Sequence, residues 1–271
     1  VTKKQLAVMR EWFVSFVHTF VRGGDELHPM LAIKLRHSKR VAAEARDLAC
    51  DLGWSASQIN VAEALGLFHD IGRFPQYAEY ATFSDAASVD HGERGWSVVK
   101  RSVWASSLPR SEREPILNGI RHHNDKVIPD GLSGQSLAFL KLIRDADKLD
   151  IFRVVLDAVK KDGFRDLPDM LPGITLERSC SPSVIEEIAD QRICSLQNVR
   201  SLGDFLLMQM SWIYDLNYMP AFQRISERHI VTEILRQLSG DSRIQNAAAR
   251  VRAFVAERLD SSGPSQPRRE G

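Results

Sequence analysis

The chain is poor in cysteine, with three in 271 residues. Cys50, Cys180 and Cys194 are too few and too scattered for a disulfide framework, and no C-x-x-C spacing offers a zinc site. A charge of one sign is also missing. Lys and Arg number 36 against 35 Asp and Glu, a formal charge of +1, so no global field marks nucleic acid or an anionic membrane as the partner. Long apolar runs are absent too. The stretch from Trp12 to Val21 is broken by Ser15, His18 and Thr19, well short of the roughly 20 apolar residues that span a bilayer, and it lacks a small-residue cleavage site. These absences imply a reducing cytoplasm and no membrane partner, and they rule out a polybasic nucleic-acid binder though not a local basic pocket. Finally, no convincing period-two alternation of β-branched residues occurs, which argues against a sheet.

What the chain has instead is apolar residues at spacings of three and four in almost every long segment, so the expected fold class is all-α. Leu6, Met9, Phe13, Phe16, Val17 and Phe20 form one stripe, stopped by Gly23 and Gly24. The next helix is expected from about Pro29 to Leu52, followed by one that Ser55 or Ser57 caps and that reaches Phe68. Further helices are expected over Asp90 to Ser106, from a capping box at Ser111 to Asn124, and from Leu137 to Lys160 with a stop at Gly163. Pro168 and Pro172 mark a connection, and Ser181-Pro182 reads as a cap with proline in the first turn. Three more patterns follow, at about Leu202 to Asn217, Ala221 to Leu238 and Asp241 to Leu259. With no repeat and no long linker, residues 1–260 are expected to form a single helical domain, the last helices packing on the first 160 residues. Residues 261–271 read as a disordered tail.

The histidines carry the chemistry. His37, His69, His91, His122 and His123 lie between positions 37 and 123, and only three others, His18, His28 and His229, lie outside. His37 shares a face with Ile33, Val41, Ala45 and Leu48, which points its imidazole into the core. Asp147 lies in the stripe Leu140, Ile143, Ile151, Val154, where an unpaired carboxylate would cost several kcal/mol. Either Arg144 or Lys148 pairs with it, or it faces an internal cation together with His37. His69-Asp70 ends an apolar helix and precedes Ile71-Gly72, where glycine allows a sharp turn. His123 lies on the face of Ile116 and Ile120, with His122 about 100° away, so His123 is the better inward donor. His91 opens a helix and offers a further nitrogen.

The order His37, His69-Asp70, His91, His122-His123, Asp147 on successive helices resembles the HD-domain metal-dependent phosphohydrolase superfamily over roughly residues 30 to 160. The most specific stretches are His37-Ser38-Lys39-Arg40-Val41-Ala42, Phe68-His69-Asp70-Ile71-Gly72-Arg73 and Arg144-Asp145-Ala146-Asp147-Lys148-Leu149-Asp150. The resemblance implies an HD helical core with a C-terminal helical extension over about 180–260. It also implies His37, His69, Asp70 and Asp147 as ligands of one divalent ion, with His91, His122 and His123 as donors to a second. Mn, Mg, Fe, Co, Ni and Zn are not distinguished. The Gly-Tyr-Pro triplet of HD-GYP phosphodiesterases is absent from the Asn124–Leu132 loop, which argues against a cyclic dinucleotide.

The implied reaction is hydrolysis of a small phosphorylated metabolite such as a nucleotide. Asp70 would bridge the two ions, while Arg73, Lys148 and Arg40 would meet the phosphate charge. Arg73 stands where many relatives carry Lys, which turns a point donor into a planar fork. Two other readings stand beside this one. The ligand order also resembles that of myo-inositol oxygenase and its di-iron relatives, and a metal-containing signalling module acting through the C-terminal helices is the third.

Overall fold

Helix-period patterning with no alternating segments produces an all-helical protein. The structure, a computed structural model, describes residues 1–23, 26–161, 164, 173–238 and 240–261. Its helices are α1 (Lys3–His18), α2 (Pro29–Asp51), α3 (Ala56–Phe68), α4 (Arg73–Tyr80), α5 (His91–Lys100), α6 (Val103–Ser106) and α7 (Arg110–His122), followed by α8 (Gly134–Lys160), α9 (Pro182–Ala189), α10 (Leu202–Ser211), α11 (Met219–Glu227), α12 (Ile230–Leu235) and α13 (Ser242–Asp260). Among the described residues the extended pairing is limited to an isolated bridge between Thr175 and Ser201. No described helix is long and apolar enough to cross a membrane. The positions expected to end α8 and mark the next connection, Gly163, Pro168 and Pro172, lie outside the described residues, as does the tail beyond Ser261 and the stop at Gly24.

Two compact units divide the chain, Val1–Asp150 and Ile151–Gly271, with the boundary inside α8. In the first, Leu6, Met9, Phe13 and Val17 form the buried face of α1. Phe13 meets Phe68 edge to face at a centroid distance of 5.7 Å, and Phe68 stacks on Trp104 at 4.8 Å, geometries that add to the area these rings bury. In the second unit, Val184, Ile188, Leu206, Ile213, Ala248 and Val251 are fully buried. There Asp204 accepts from Ser181 N at 2.6 Å and Arg200 N at 3.0 Å, tying the starts of α9 and α10 together.

Several expected helices are shorter than their apolar patterns, and local chemistry explains each break. The pattern from Asp90 to Ser106 divides because Ser102 caps α6 by accepting from Ala105 N. The pattern from Ala221 to Leu238 divides at His229, whose φ of 52° is left-handed, a conformation that cannot continue a right-handed helix. The pattern from Leu202 tightens at Trp212–Asp215 into a 3-10 turn. The capping box expected at Ser111 does not form, since α7 begins at Arg110 behind Pro109 and Ser111 lies inside its first turn. Ser55 does cap α3, reciprocally with Gln58.

The packing of α2 on α3 sets the geometry of the centre described next. It depends on Gly66: a Cβ there would lie 2.6 Å from Ala42 Cα and 2.8 Å from Val41 O, which are backbone atoms unable to yield as a side chain would. In an open helix, Gly66→Ala would gain roughly 0.5–1 kcal/mol of helix propensity. Overpacking costs about 1–3 kcal/mol, so crowding should win. We expect Gly66→Ala to lower the melting temperature; a thermal melt with an unchanged or raised midpoint would show that α2 and α3 can separate.

Candidate metal centre

Six elements deliver the candidate donors. His37 lies on α2, His69 caps the C-terminus of α3, Asp70 follows in the turn, His91 opens α5, His123 caps the C-terminus of α7, and Asp147 lies on α8. His37, His69, Asp70, His91 and His123 are all buried. The four imidazoles form a row, with ring centroids 5.1 Å apart for His37–His69, 5.1 Å for His69–His123 and 4.9 Å for His123–His91.

Each ring is oriented from behind by an acceptor at Nδ1. The partners are Asp150 Oδ2 for His37 at 2.8 Å, Gly66 O for His69 at 2.7 Å, Asp85 Oδ2 for His91 at 2.7 Å and Ile120 O for His123 at 2.9 Å. A neutral imidazole carries one N–H, so an acceptor at Nδ1 leaves the lone pair on Nε2. These Nε2 atoms meet in pairs, His37 with His69 at 3.2 Å and His91 with His123 at 3.1 Å. Facing lone pairs repel unless a proton or a metal cation lies among them.

Asp70 alongside the row serves both pairs. Its Oδ2 lies 3.6 Å from His37 Nε2 and 3.8 Å from His69 Nε2, while its Oδ1 lies 3.3 Å from His91 Nε2 and 3.7 Å from His123 Nε2. Two buried donor groups result, His37–His69–Asp70 and Asp70–His91–His123. Asp147 adds its Oδ1 to the first, 3.0 Å from His37 Nε2 and 3.5 Å from His69 Nε2. That oxygen is buried and has no hydrogen-bond partner. An orphaned carboxylate oxygen facing opposed imidazole nitrogens fits a divalent cation, and nitrogen and carboxylate donors suit the first-row ions and magnesium between them.

The electrostatics agree. Burial works against a charged His37, yet the facing Asp147 carboxylate and the hydrogen-bonded Asp150 overcome it and raise its pKa to about 9. A positive charge is favoured at that nitrogen, and a proton and a metal ion compete for the same lone pair. For His91, burial and the nearby Arg73 lower the pKa to about 4. Burial also opposes ionisation of Asp70 and Asp147, but Lys34 and His69 beside the former, and His37 and His69 beside the latter, hold both well below the usual carboxylate range.

The remaining residues singled out in the sequence are placed differently. His122 lies half-buried with Nδ1 2.8 Å from Asp125 Oδ2, in neither donor group. Arg40 grips Asp150 with two hydrogen bonds, at 2.7 and 2.9 Å, and so supports the carboxylate behind His37. Lys148 Nζ lies 3.4 Å from Arg144 O, while the Arg144 guanidinium reaches His123 O at 3.2 Å and Asp125 O at 2.5 Å. Arg73 Nε is 3.5 Å from Asp70 Oδ1, and its NH1 donates to Gln76, Phe83 O and Asp85. Gly72 does not make a special turn, for its φ of −66° is ordinary. Its role is close approach, because a Cβ there would lie 2.0 Å from His91 O.

Three residues escaped the sequence reading. Lys34 donates to Asp70 Oδ2 at 2.7 Å; its position one turn before His37 was the available signal. Asp150 stood inside a quoted motif with no role assigned. Asp85, in the segment between α4 and α5, had no local signal at all.

A helical protein with a buried histidine and carboxylate centre is the class that fold and site define. Residues 35–151 match the family model described as HD domain. The match places an HD domain in this segment, the kind of domain found in metal-dependent hydrolases. Searches of curated proteins and of solved structures give no significant match.

Two expectations follow. In metal-binding assays, His123→Ala should lose metal from the Asp70–His91–His123 group while His122→Ala retains the wild-type content; equal losses would place His122 among the donors. For chelator-treated protein, a raised His37 contributes stability that is full below about 6.5, its unfolded value, and is lost as pH rises through about 9. The depressed His91 acts oppositely, costing stability as pH falls from about 6.5 through about 4. Melting temperature should thus peak near pH 6.5, and a profile still rising to pH 9 would contradict this account.

Proposed function

We propose that this protein hydrolyses a phosphoester of a small phosphorylated metabolite, such as a nucleotide, with two divalent ions as cofactors. The observation that carries the reading is the sharing of Asp70 between two donor groups, the arrangement suited to a pair of ions acting on one phosphoryl group. His37, His69, Asp70 and Asp147 would hold one ion, and Asp70, His91 and His123 the other. Bound there, such ions supply Lewis acidity toward a phosphoryl oxygen and a lowered pKa for the attacking water.

The chain's own residues would do the rest. Asp70 aligns the two halves, and the acceptors behind the four imidazoles keep their Nε2 lone pairs inward. Lys34 and Arg73 flank Asp70 and lie 5.3 and 5.8 Å from the Phe83 ring, so both cations are held at the rim of the centre, where phosphoryl oxygens would gather charge. Arg40, committed to Asp150, serves orientation. The products would be an alcohol and inorganic phosphate from a monoester, or an alcohol and a phosphomonoester from a diester, the oxygen gained by phosphorus coming from water.

The test is hydrolysis of a panel of phosphomonoesters, read as phosphate release, and of phosphodiesters, read as release of the alcohol, by protein purified without chelator and assayed with Mn, Mg, Co, Fe, Ni or Zn. Asp70→Ala should abolish turnover, Arg73→Ala should lower it by about 10²- to 10³-fold as loss of one electrostatic donor does, and His122→Ala should leave it nearly unchanged. Substrate-dependent oxygen uptake without phosphoester hydrolysis would assign the centre to oxygenase chemistry instead. Metal binding with neither activity would favour a ligand-sensing module.

A further inference from the structure

Asp85 lies in the single turn Asp85–Ala87 between α4 and α5, and both of its carboxylate oxygens accept hydrogen bonds. Oδ1 accepts from Arg73 NH1 at 2.8 Å and from Gln76 Nε2 at 2.8 Å. Oδ2 accepts from His91 Nδ1 at 2.7 Å and, more loosely, from Asn124 Nδ2 at 3.4 Å. Gln76 is fully buried, and its amide also donates to Ser88 Oγ and Val89 O, each at 2.9 Å. The turn is therefore pinned to α4, and Asp85 cannot withdraw without breaking that set.

We propose that Asp85 is the positioning residue of the Asp70–His91–His123 half of the centre, holding the His91 proton on Nδ1 so that the Nε2 lone pair is free for a divalent ion. The inference rests on the two-ion part of the reading above. An ionised carboxylate has no proton to give and can only accept, so the proton between Asp85 and His91 belongs to the imidazole. With Nδ1 protonated, Nε2 presents its lone pair beside Asp70 Oδ1 and His123 Nε2, 3.3 and 3.1 Å away. The same carboxylate restrains Arg73, so the metal-binding half and a cation at its rim share one anchor.

Replacement by asparagine isolates this role, since it preserves volume and changes only which atoms accept. Arg73 and Gln76 both donate toward Oδ1, one of them a guanidinium, so the amide oxygen of the variant should stay on that side. Its NH2 then faces His91, donates to Nδ1, and moves the imidazole proton to Nε2, where it occupies the lone pair the ion needs. Alanine instead removes the acceptor and leaves the tautomer free. A purely structural role predicts the reverse ranking, because alanine deletes every hydrogen bond and asparagine keeps most of them.

The experiment titrates metal-stripped full-length wild type, Asp85→Asn and Asp85→Ala with Mn²⁺ by calorimetry and reads the His91 tautomer from its imidazole ¹⁵N shifts. We expect Asp85→Asn to weaken the second equivalent by about 10- to 100-fold, the range for a residue supporting a ligand, with the first equivalent unchanged. Asp85→Ala should lose less, and His91 should carry its proton on Nδ1 in the wild type and on Nε2 in Asp85→Asn. Equal weakening of both equivalents, a greater loss in Asp85→Ala, a wild type that takes up one equivalent, or a wild-type His91 protonated on Nε2 would each overturn the proposal. Should a variant fail to fold, the wild-type tautomer decides alone. A wild type that follows the expected pattern yet hydrolyses neither phosphomonoesters nor phosphodiesters would remove the phosphohydrolase reading and leave Asp85 its role.

Discussion

Asp70 turns one oxygen toward His37 and His69 and the other toward His91 and His123, and the surrounding architecture follows from keeping those two relations at once. All four imidazole Nε2 atoms lie 3.3 to 3.8 Å from an oxygen of this one carboxylate, so the rings must converge on it from different segments. Placing lone pairs that close together is unfavourable for the protein alone, and it persists because each ring is held from behind. Two rings are backed by carboxylates, Asp150 and Asp85, and two by the backbone carbonyls of Gly66 and Ile120. Each backing carboxylate is in turn paired with an arginine, Arg40 or Arg73. The two halves thus share a plan, differing chiefly in the extra carboxylate of Asp147.

Such convergence depends on backbones that approach more closely than side chains normally allow. Gly66 lets α3 lie against α2, and Gly72 lets the turn after Asp70 lie against the first turn of α5. Gly66 has two duties, since its carbonyl also orients His69. Packing and chemistry are therefore set by the same few residues of the first compact unit.

The sequence made the helical class legible because period-three and period-four patterning leaves little choice. It also placed His37 and Asp147 inward, since a polar residue on an apolar stripe has to be explained by something buried, and the structure brings their reacting atoms to 3.0 Å. Separating His123 from His122 needed only the 100° step between adjacent helical residues. Helix ends were harder. An apolar pattern runs on past a serine cap such as Ser102 or a left-handed residue such as His229, because burial continues after the backbone has turned. Pairings between distant segments were hardest of all: Arg40 with Asp150 spans 110 residues, far beyond what helical spacing can reveal. Asp85 lies on a short turn without periodicity, so nothing local tied it to His91.

The charge around the centre is nearly balanced before any ion is counted. Asp70, Asp85, Asp147 and Asp150 face Lys34, Arg40 and Arg73, leaving one negative charge that a proton on His37 cancels. A phosphorylated anion would meet no net attraction there, and the chain as a whole, at +1, offers little more. A divalent ion that displaces the His37 proton would raise the charge of the centre by one unit, and a second ion by two more, in a poorly solvated interior where the field is only weakly damped. Under the proposed reading the centre would attract an anion only once loaded, so metal would precede any anionic ligand, with a proton released as His37 exchanges one cation for another.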